Sequence, residues 1–165
     1  MNIKDAPYAE NKAITLQKLE AFYMGGEAES NSDAEVNSAS SAEQQDTQSP
    51  YAETENKISL YAEEDGVVYG RLVGHYDETT NAVRIEVLHI EALSRGKRVG
   101  SLLVEAFEQQ AREKGVGFSF VDTTSSSAPR FYEKLGYELV GQMSDYPMQG
   151  ETYYYYAKRL FSTAV

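Results

Sequence analysis

Residues 94–101 read Ser-Arg-Gly-Lys-Arg-Val-Gly-Ser, so that three cations fall within four positions (Arg95, Lys97 and Arg98). Gly96 and Gly100 let the backbone turn with its N–H groups facing inward. The helix predicted to begin at Val99 adds N–H groups that have no acceptor inside the helix, and the positive end of its dipole. Bare amides, a helix N-terminus and cations together suit a pyrophosphate. The candidate anion-binding residues are therefore Arg95, Gly96, Lys97, Arg98, Val99, Gly100 and Ser101. The run matches neither G-x-x-x-x-G-K-[ST] nor G-x-G-x-x-G, which sets aside a P-loop and a dinucleotide fingerprint. Taken alone, these residues also fit an ordinary strand-to-helix loop with solvated bases.

Composition narrows the chemistry further. The chain of 165 residues has no cysteine and two histidines, His75 and His89. That removes disulfides, thiolate metal sites and a cysteine nucleophile, and the expected metal content is none. The formal net charge is -11, and residues 24–56 hold eight acids and no base. Such a balance argues against nucleic acid as a partner, which needs a basic face for its phosphates. No apolar run approaches the roughly 20 residues that cross a bilayer, and the N-terminus has no apolar signal core. No membrane partner and a cytoplasmic location are the expectations. The acidity is compatible with a cationic acceptor such as an amine, though a solubilising segment is the plainer reading.

Several elements must position the 94–101 loop. Residues 10–23 predict an amphipathic helix with Ile14, Leu16, Leu19, Phe22 and Tyr23 near one stripe. Residues 27–50, rich in Ser, Asn, Ala, Glu and Gln, predict a loop or mobile insertion. Residues 57–63, 67–76 and 82–90 predict three strands of an antiparallel meander, with Asp65-Gly66 as the first turn. Residues 99–114 predict a helix whose stripe is Leu102, Leu103, Ala106, Phe107 and Ala111. A strand at 118–123 follows, then a short helix turning Phe131 and Leu135 inward, then strands at 137–143 and 152–160. The order implies an α+β (mixed α/β) fold, a central mixed sheet with helices packed on it. Strand parity places Val83, Ile85, Val87 and His89 on one face, and Arg84, Glu86, Leu88 and Ile90 on the other.

The segment LHIEALSRGKRVGSLLVEAFEQQAREKG resembles the acyl-CoA-binding motif of the GNAT N-acetyltransferase superfamily, Q/R-x-x-G-x-G/A. Arg95 and Gly100 match its first and last positions, and Arg98 stands where the middle glycine is usual. SSAPRFYEKLGYELVG is similar to the superfamily's second signature, and DYPMQGETYYYYAKRL resembles the D-Y-P-x-G ending of a small bacterial branch. The resemblance spans about residues 57–160. It implies one domain over 1–165 with an acidic insertion at about 27–50, and a strongly twisted sheet of about six to seven strands.

The resemblance also implies an activity, transfer of an acetyl group from acetyl-CoA to a primary amine. Acetyl-CoA is then the acyl-donor cosubstrate, with no metal. Its arm is expected to pair with the backbone of Leu88, His89 and Ile90, beside contacts from Ser125 and Ala128. Ser125 replaces an asparagine frequent in the family, with Thr124 and Ser127 as substitutes. The resemblance assigns Tyr132 as general acid toward the departing thiolate, since a phenol keeps its proton at neutral pH. By parity Glu86 points into the cleft and is the candidate base, acting directly or through a water. His89 is expected to be a buried histidine rather than a base. A small-molecule amine is the expected acceptor. A protein lysine or N-terminal acetyltransferase and a non-catalytic acyl-CoA sensor remain alternatives on the same fold. The acids at Glu63-Glu64-Asp65 and Asp77-Glu78 are read as either turn residues or an acidic rim. Outward tyrosines of the 153–156 run are read as a homodimer contact or as a wall of the acceptor site.

Overall fold

The structure, a computed structural model, describes residues 1–23, 37–38, 56–77, 79–94, 96–127 and 129–161. It begins with a strand, β1 (Asn2–Asp5), too short to announce itself by alternation, and continues into α1 (Tyr8–Tyr23). A two-residue strand, β2 (Asn37–Ser38), lies within the stretch read as a loop. The remainder of 27–50 lies outside the described residues. Then come β3 (Lys57–Glu64), β4 (Val67–Asp77), β5 (Ala82–Ile90), a 3-10 turn at Ala92–Ser94 and α2 (Val99–Glu113). The chain closes with β6 (Phe118–Thr124), α3 (Pro129–Lys134), β7 (Glu138–Ser144) and β8 (Thr152–Arg159). No helix among the described residues is long and apolar enough to cross a membrane.

Seven strands lie in the order β1-β3-β4-β5-β6-β8-β7, with β2 added against β5. Every pairing is antiparallel except β5 with β6. This is the expected mixed α+β sheet. The main core lies between the sheet and α2, where Leu103, Val104, Phe107 and Ala111 meet Ile58, Leu60, Leu72, Val83, Ile85 and Leu88. Each large aliphatic or aromatic side chain removed from water there contributes about 1.5–3 kcal/mol. A smaller cluster on the opposite face joins Leu19 of α1 to Val73 and Val87.

Two expectations about which side chains face inward need correction. On α1 the inward row is Tyr8, Asn11, Lys12, Thr15 and Leu19, not a stripe through Ile14 and Leu16. Asn11, Thr15 and Leu19 are buried, whereas Leu16 is exposed. The side chains of Phe22 and Tyr23 lie outside the description. The row is polar because it meets polar groups on the sheet. Asn11 donates to Ser59 Oγ and to the Leu60 carbonyl, both at 3.0 Å, and accepts from Arg71 at 2.7 Å.

The second correction is the parity of β5. Val73 pairs with Val87, but Gly74 pairs with Ile85, so Glu86 is an extra residue, a β-bulge. A bulge resets the alternation. Val83, Ile85 and Leu88 belong to the α2-side core, with Ile90 packed against it, while Val87 joins Leu19 on the α1 side. Glu86 also points to the α1 side, where it bonds to Tyr8 and Lys12. It therefore does not share a face with Leu88 and Ile90.

Gly74 makes the bulge possible. A Cβ there would lie 2.4 Å from the Arg84 carbonyl oxygen and 2.5 Å from the Phe107 ring. Gly74→Ala is expected to cost about 1–3 kcal/mol through overpacking, read as a lower urea midpoint. An unchanged midpoint would contradict this packing.

Candidate active site

The parallel pairing of β5 with β6 covers three positions, Ala82↔Phe118, Val83↔Ser119 and Arg84↔Phe120. Beyond Arg84 the strands part. β5 continues its pairing with β4 up to Ile90, and β6 its pairing with β8 up to Thr124. The sheet therefore forks, and among the described residues the β6-facing edge of β5 beyond Arg84 carries β2 alone, through Asn37↔Leu88 and Ser38↔Val87. That pairing demonstrates an edge competent to bond an extended segment, which is the property a pantetheine arm would use. Leu88 is buried, and His89 and Ile90 are partly so.

The 94–101 loop sits where β5 ends. Lys97 N–H donates to the Ser94 carbonyl at 3.1 Å, and Ser94 N–H to the Glu91 carbonyl at 2.9 Å. Arg98 is the N-cap of α2, with φ 55° and ψ 31° and no side-chain cap. Holding a non-glycine residue in the left-handed region costs about 1 kcal/mol, a cost that a glycine would avoid. Leu102 N–H makes the first intrahelical bond, to the Arg98 carbonyl at 3.0 Å. The N–H groups of Val99, Gly100 and Ser101 thus have no acceptor within α2. Val99 and Gly100 are buried and Gly96 is exposed, with φ 75° at Gly96.

Of the three cations, Arg95 lies outside the described residues. The Lys97 ammonium rests 4.2 Å from the Tyr69 ring centroid and 3.6 Å from Glu64. The Arg98 side chain is 76% exposed and 3.9 Å from Glu105. Arg98 is thus the more available of the two to a bound anion.

On the α1 face, Glu86 is 7% exposed and heavily bonded. Tyr8 Oη donates at 2.8 Å to the carboxylate, Lys12 Nζ donates at 2.8 Å to Oε2, and His75 Nδ1 lies 2.8 Å from Oε1. Burial alone would raise the Glu86 carboxyl, but bonds from His75, Lys12 and Tyr8 overcome it and hold the group at about 2. Burial, aided by Glu86, pushes the Tyr8 phenol up to about 12 against the opposing pull of Lys12. Tyr8 and Lys12 are four residues apart on one helix face, a spacing that apolar periodicity cannot register. His75 and Lys12 come to Glu86 from elements that sequence analysis treated separately.

A second cluster stands at the apex of the fork. Buried Asp122 is clasped by Arg84 and by the Tyr153 hydroxyl. Burial, then Asp122, raises the Tyr153 phenol. Tyr153 also packs edge-on against Tyr146 and Tyr155, at 5.2 and 5.1 Å between centroids. The run divides by parity: Tyr154 and Tyr156 pack with the α2-side core, while buried Tyr153 and exposed Tyr155 lie on the opposite face.

Tyr132 is 1% exposed within α3. Its ring lies 4.9 Å from Phe131, 5.6 Å from Tyr137 and 6.4 Å from Tyr156. It is buried more deeply than Phe131 or Leu135, the pair expected to face inward. His89 is mostly buried, and burial lowers its imidazole despite the opposing effect of Glu91. The Ser125 hydroxyl donates to Glu151 at 2.8 Å and accepts from Thr152 N–H at 3.0 Å, tying β6 to β8. Behind it, the Thr124 hydroxyl meets those of Ser126 and Ser127 at 3.1 and 3.2 Å. Ala128 lies outside the described residues. Among the described residues no group of three or more His, Asp or Glu could hold a metal ion. Glu63 pairs with Lys4, Glu64 with the N-terminal amine, and Asp77 accepts from Thr79, so these acids have local partners.

Comparison with known proteins gives this arrangement a setting. Residues 25–137 match the acetyltransferase (GNAT) family. A blasticidin-S acetyltransferase of Streptomyces morookaense is 38% identical over 85 residues, which are 51% of this chain and 61% of that protein. An acetyltransferase of Agrobacterium fabrum is 29% identical over 80 residues, 48% of this chain and 57% of that protein. The chain thus spans about three fifths of the length of the curated relatives it matches. Among solved structures, the aminoglycoside 6'-N-acetyltransferase of Enterococcus faecium superposes with a TM-score of 0.69 at 15% identity, over 100% of both chains. At that identity the likeness is one of fold.

Proposed function

The chain belongs to the acetyltransferase (GNAT) family, and we propose that it transfers the acetyl group of acetyl-CoA to the primary amine of a small molecule. The observation that carries this reading is the fork between β5 and β6, with three acceptor-less amides of α2 at its mouth. In this reading the amides of Val99, Gly100 and Ser101, with Arg95, Gly96, Lys97 and Arg98, hold the pyrophosphate. The edge of β5 at Leu88, His89 and Ile90 pairs with the extended arm, and Ser125 and Ala128 are the further residues proposed to contact the cofactor. β2 uses part of the same edge, so the arm takes its place.

Acetyl-CoA supplies an activated acyl group. The chain's own residues supply the rest. A backbone N–H of the β5 edge stabilises negative charge on the carbonyl oxygen. Tyr132, its ring fixed among Phe131, Tyr137 and Tyr156, gives a proton to the departing sulfur. The network around Glu86 removes the proton from the acceptor amine. A small molecule is favoured as acceptor because a relative named above acts, by its name, on blasticidin-S.

The test is thiol release from acetyl-CoA across a panel of aminoglycosides, aminonucleosides, polyamines and lysine peptides. Release with a small amine is expected. Release with peptides alone would move the acceptor to proteins. Binding of acetyl-CoA without release for any amine would leave a sensor.

A further inference from the structure

Glu86 is ionised at any physiological pH, yet a carboxylate already accepting bonds from Tyr8, Lys12 and His75 has little appetite for another proton. Efficient proton acceptors ionise near the working pH. Of the three groups bonded to Glu86, Lys12 and Tyr8 are donors whose ionisation is pushed up or held high. The third is an imidazole, whose second ring nitrogen keeps a lone pair when the first donates to the carboxylate.

We infer that His75 is the base that takes the proton from the acceptor amine, and that Glu86 is its positioning residue. Four observations carry this. His75 Nδ1 lies 2.8 Å from a carboxylate that is ionised and held from three sides. An acceptor so placed requires the proton on Nδ1, which leaves Nε2 as the basic nitrogen. The His75 side chain is 34% exposed, whereas the Glu86 side chain is only 9% exposed, so the ring and not the carboxylate meets solvent. In register, His75 pairs with Arg84, the last β5 residue paired to β6, which sets the ring level with the apex of the fork.

The inference rests on the acetyltransferase reading and deepens it. The step balances as follows. Nε2 takes a proton from the amine, the amine nitrogen forms a bond to the acetyl carbon, and the carbon–sulfur bond breaks. The sulfur takes the Tyr132 proton, and solvent exchange restores both His75 and Tyr132. The charged or titratable groups facing His75 are Tyr8 and Lys12 from α1, Lys57 from β3, Asp77 on its own strand, and Arg84 and Glu86 from β5. They include both signs.

The variant His75→Asn keeps a donor toward Glu86 and removes the basic nitrogen. It is expected to bind acetyl-CoA as tightly as the parent, to lose roughly a hundredfold or more in kcat/KM at neutral pH, and to lose the acid limb of the pH–rate profile. Glu86→Gln is expected to lower the plateau while a limb remains. The reverse pattern, a limb kept in His75→Asn and lost in Glu86→Gln, would overturn the inference and leave the activity standing. A nitrogen-15 spectrum of the histidine side chains tests the inference without turnover. His75 is expected as the Nδ1–H tautomer, and the Nε2–H tautomer would overturn it. Absence of acetyl-CoA binding in the parent would instead defeat the acetyltransferase reading.

Discussion

Replacing Tyr132 with phenylalanine is expected to lower kcat by about 10²–10³-fold, the usual scale for losing a general acid. The dissociation constant for acetyl-CoA should stay within about twofold, since the ring remains. The prediction separates the hydroxyl from the packing. The ring is fully buried against Phe131, Tyr137 and Tyr156, so its truncation to alanine would also cost several kcal/mol and blur the result, about 3–5 for an aromatic. Phenylalanine keeps the ring and removes only the donor, at a stability cost of about 0.5–1.5 kcal/mol. Single-turnover measurement reads the acyl step directly. Unimpaired turnover in Tyr132→Phe would reject the acid role and leave Tyr132 a core residue.

The second large effect concerns Glu86. Its folded ionisation, held down at about 2 from an ordinary 4.5, makes its partners stabilise the fold. Such a group contributes fully above the carboxylate range and loses its contribution as pH falls from about 4.5 toward about 2. The shift corresponds to about 3 kcal/mol. Glu86→Gln is therefore expected to be about 2–3 kcal/mol less stable than the parent at pH 7. The gap should close progressively below about pH 4.5, because the parent then loses the same charge. Urea unfolding of both proteins across that range measures it. A gap that stays constant down to about pH 2 would mean that the bonds from Tyr8, Lys12 and His75 do not favour the ionised carboxylate.

Most strands, the long helix and the loop between β5 and α2 are legible in the sequence. Alternation marks β3 to β5, the apolar stripe marks α2, and Gly96 marks the turn between them, while Gly100 lies inside the first turn of α2 rather than in the loop. What alternation cannot show is a bulge. One extra residue at Glu86 carries Val87 and His89 to the α1 face and Leu88 to the α2 face, and the sequence signal for it is only indirect, a strand glycine at Gly74 that admits Phe107. The inward face of α1 is hidden for a different reason. Asn11 and Thr15 are buried, and Tyr8 and Lys12 partly so, among hydrogen bonds and ion pairs rather than apolar contacts, so an apolar periodicity search passes over them. His75 is hidden by distance along the chain, since only the β4–β5 pairing brings it to Glu86. The Asp122 cluster depends in the same way on β5, β6 and β8 lying side by side.

Titrating nitrogen-15-labelled protein with coenzyme A, and following the backbone amides, tests the central claim most directly. Saturable binding is expected, with the largest shifts at Val99, Gly100 and Ser101 and along Val87 to Ile90. A folded protein that shows no saturable change, or whose changes fall away from the β5–β6 fork, would contradict it.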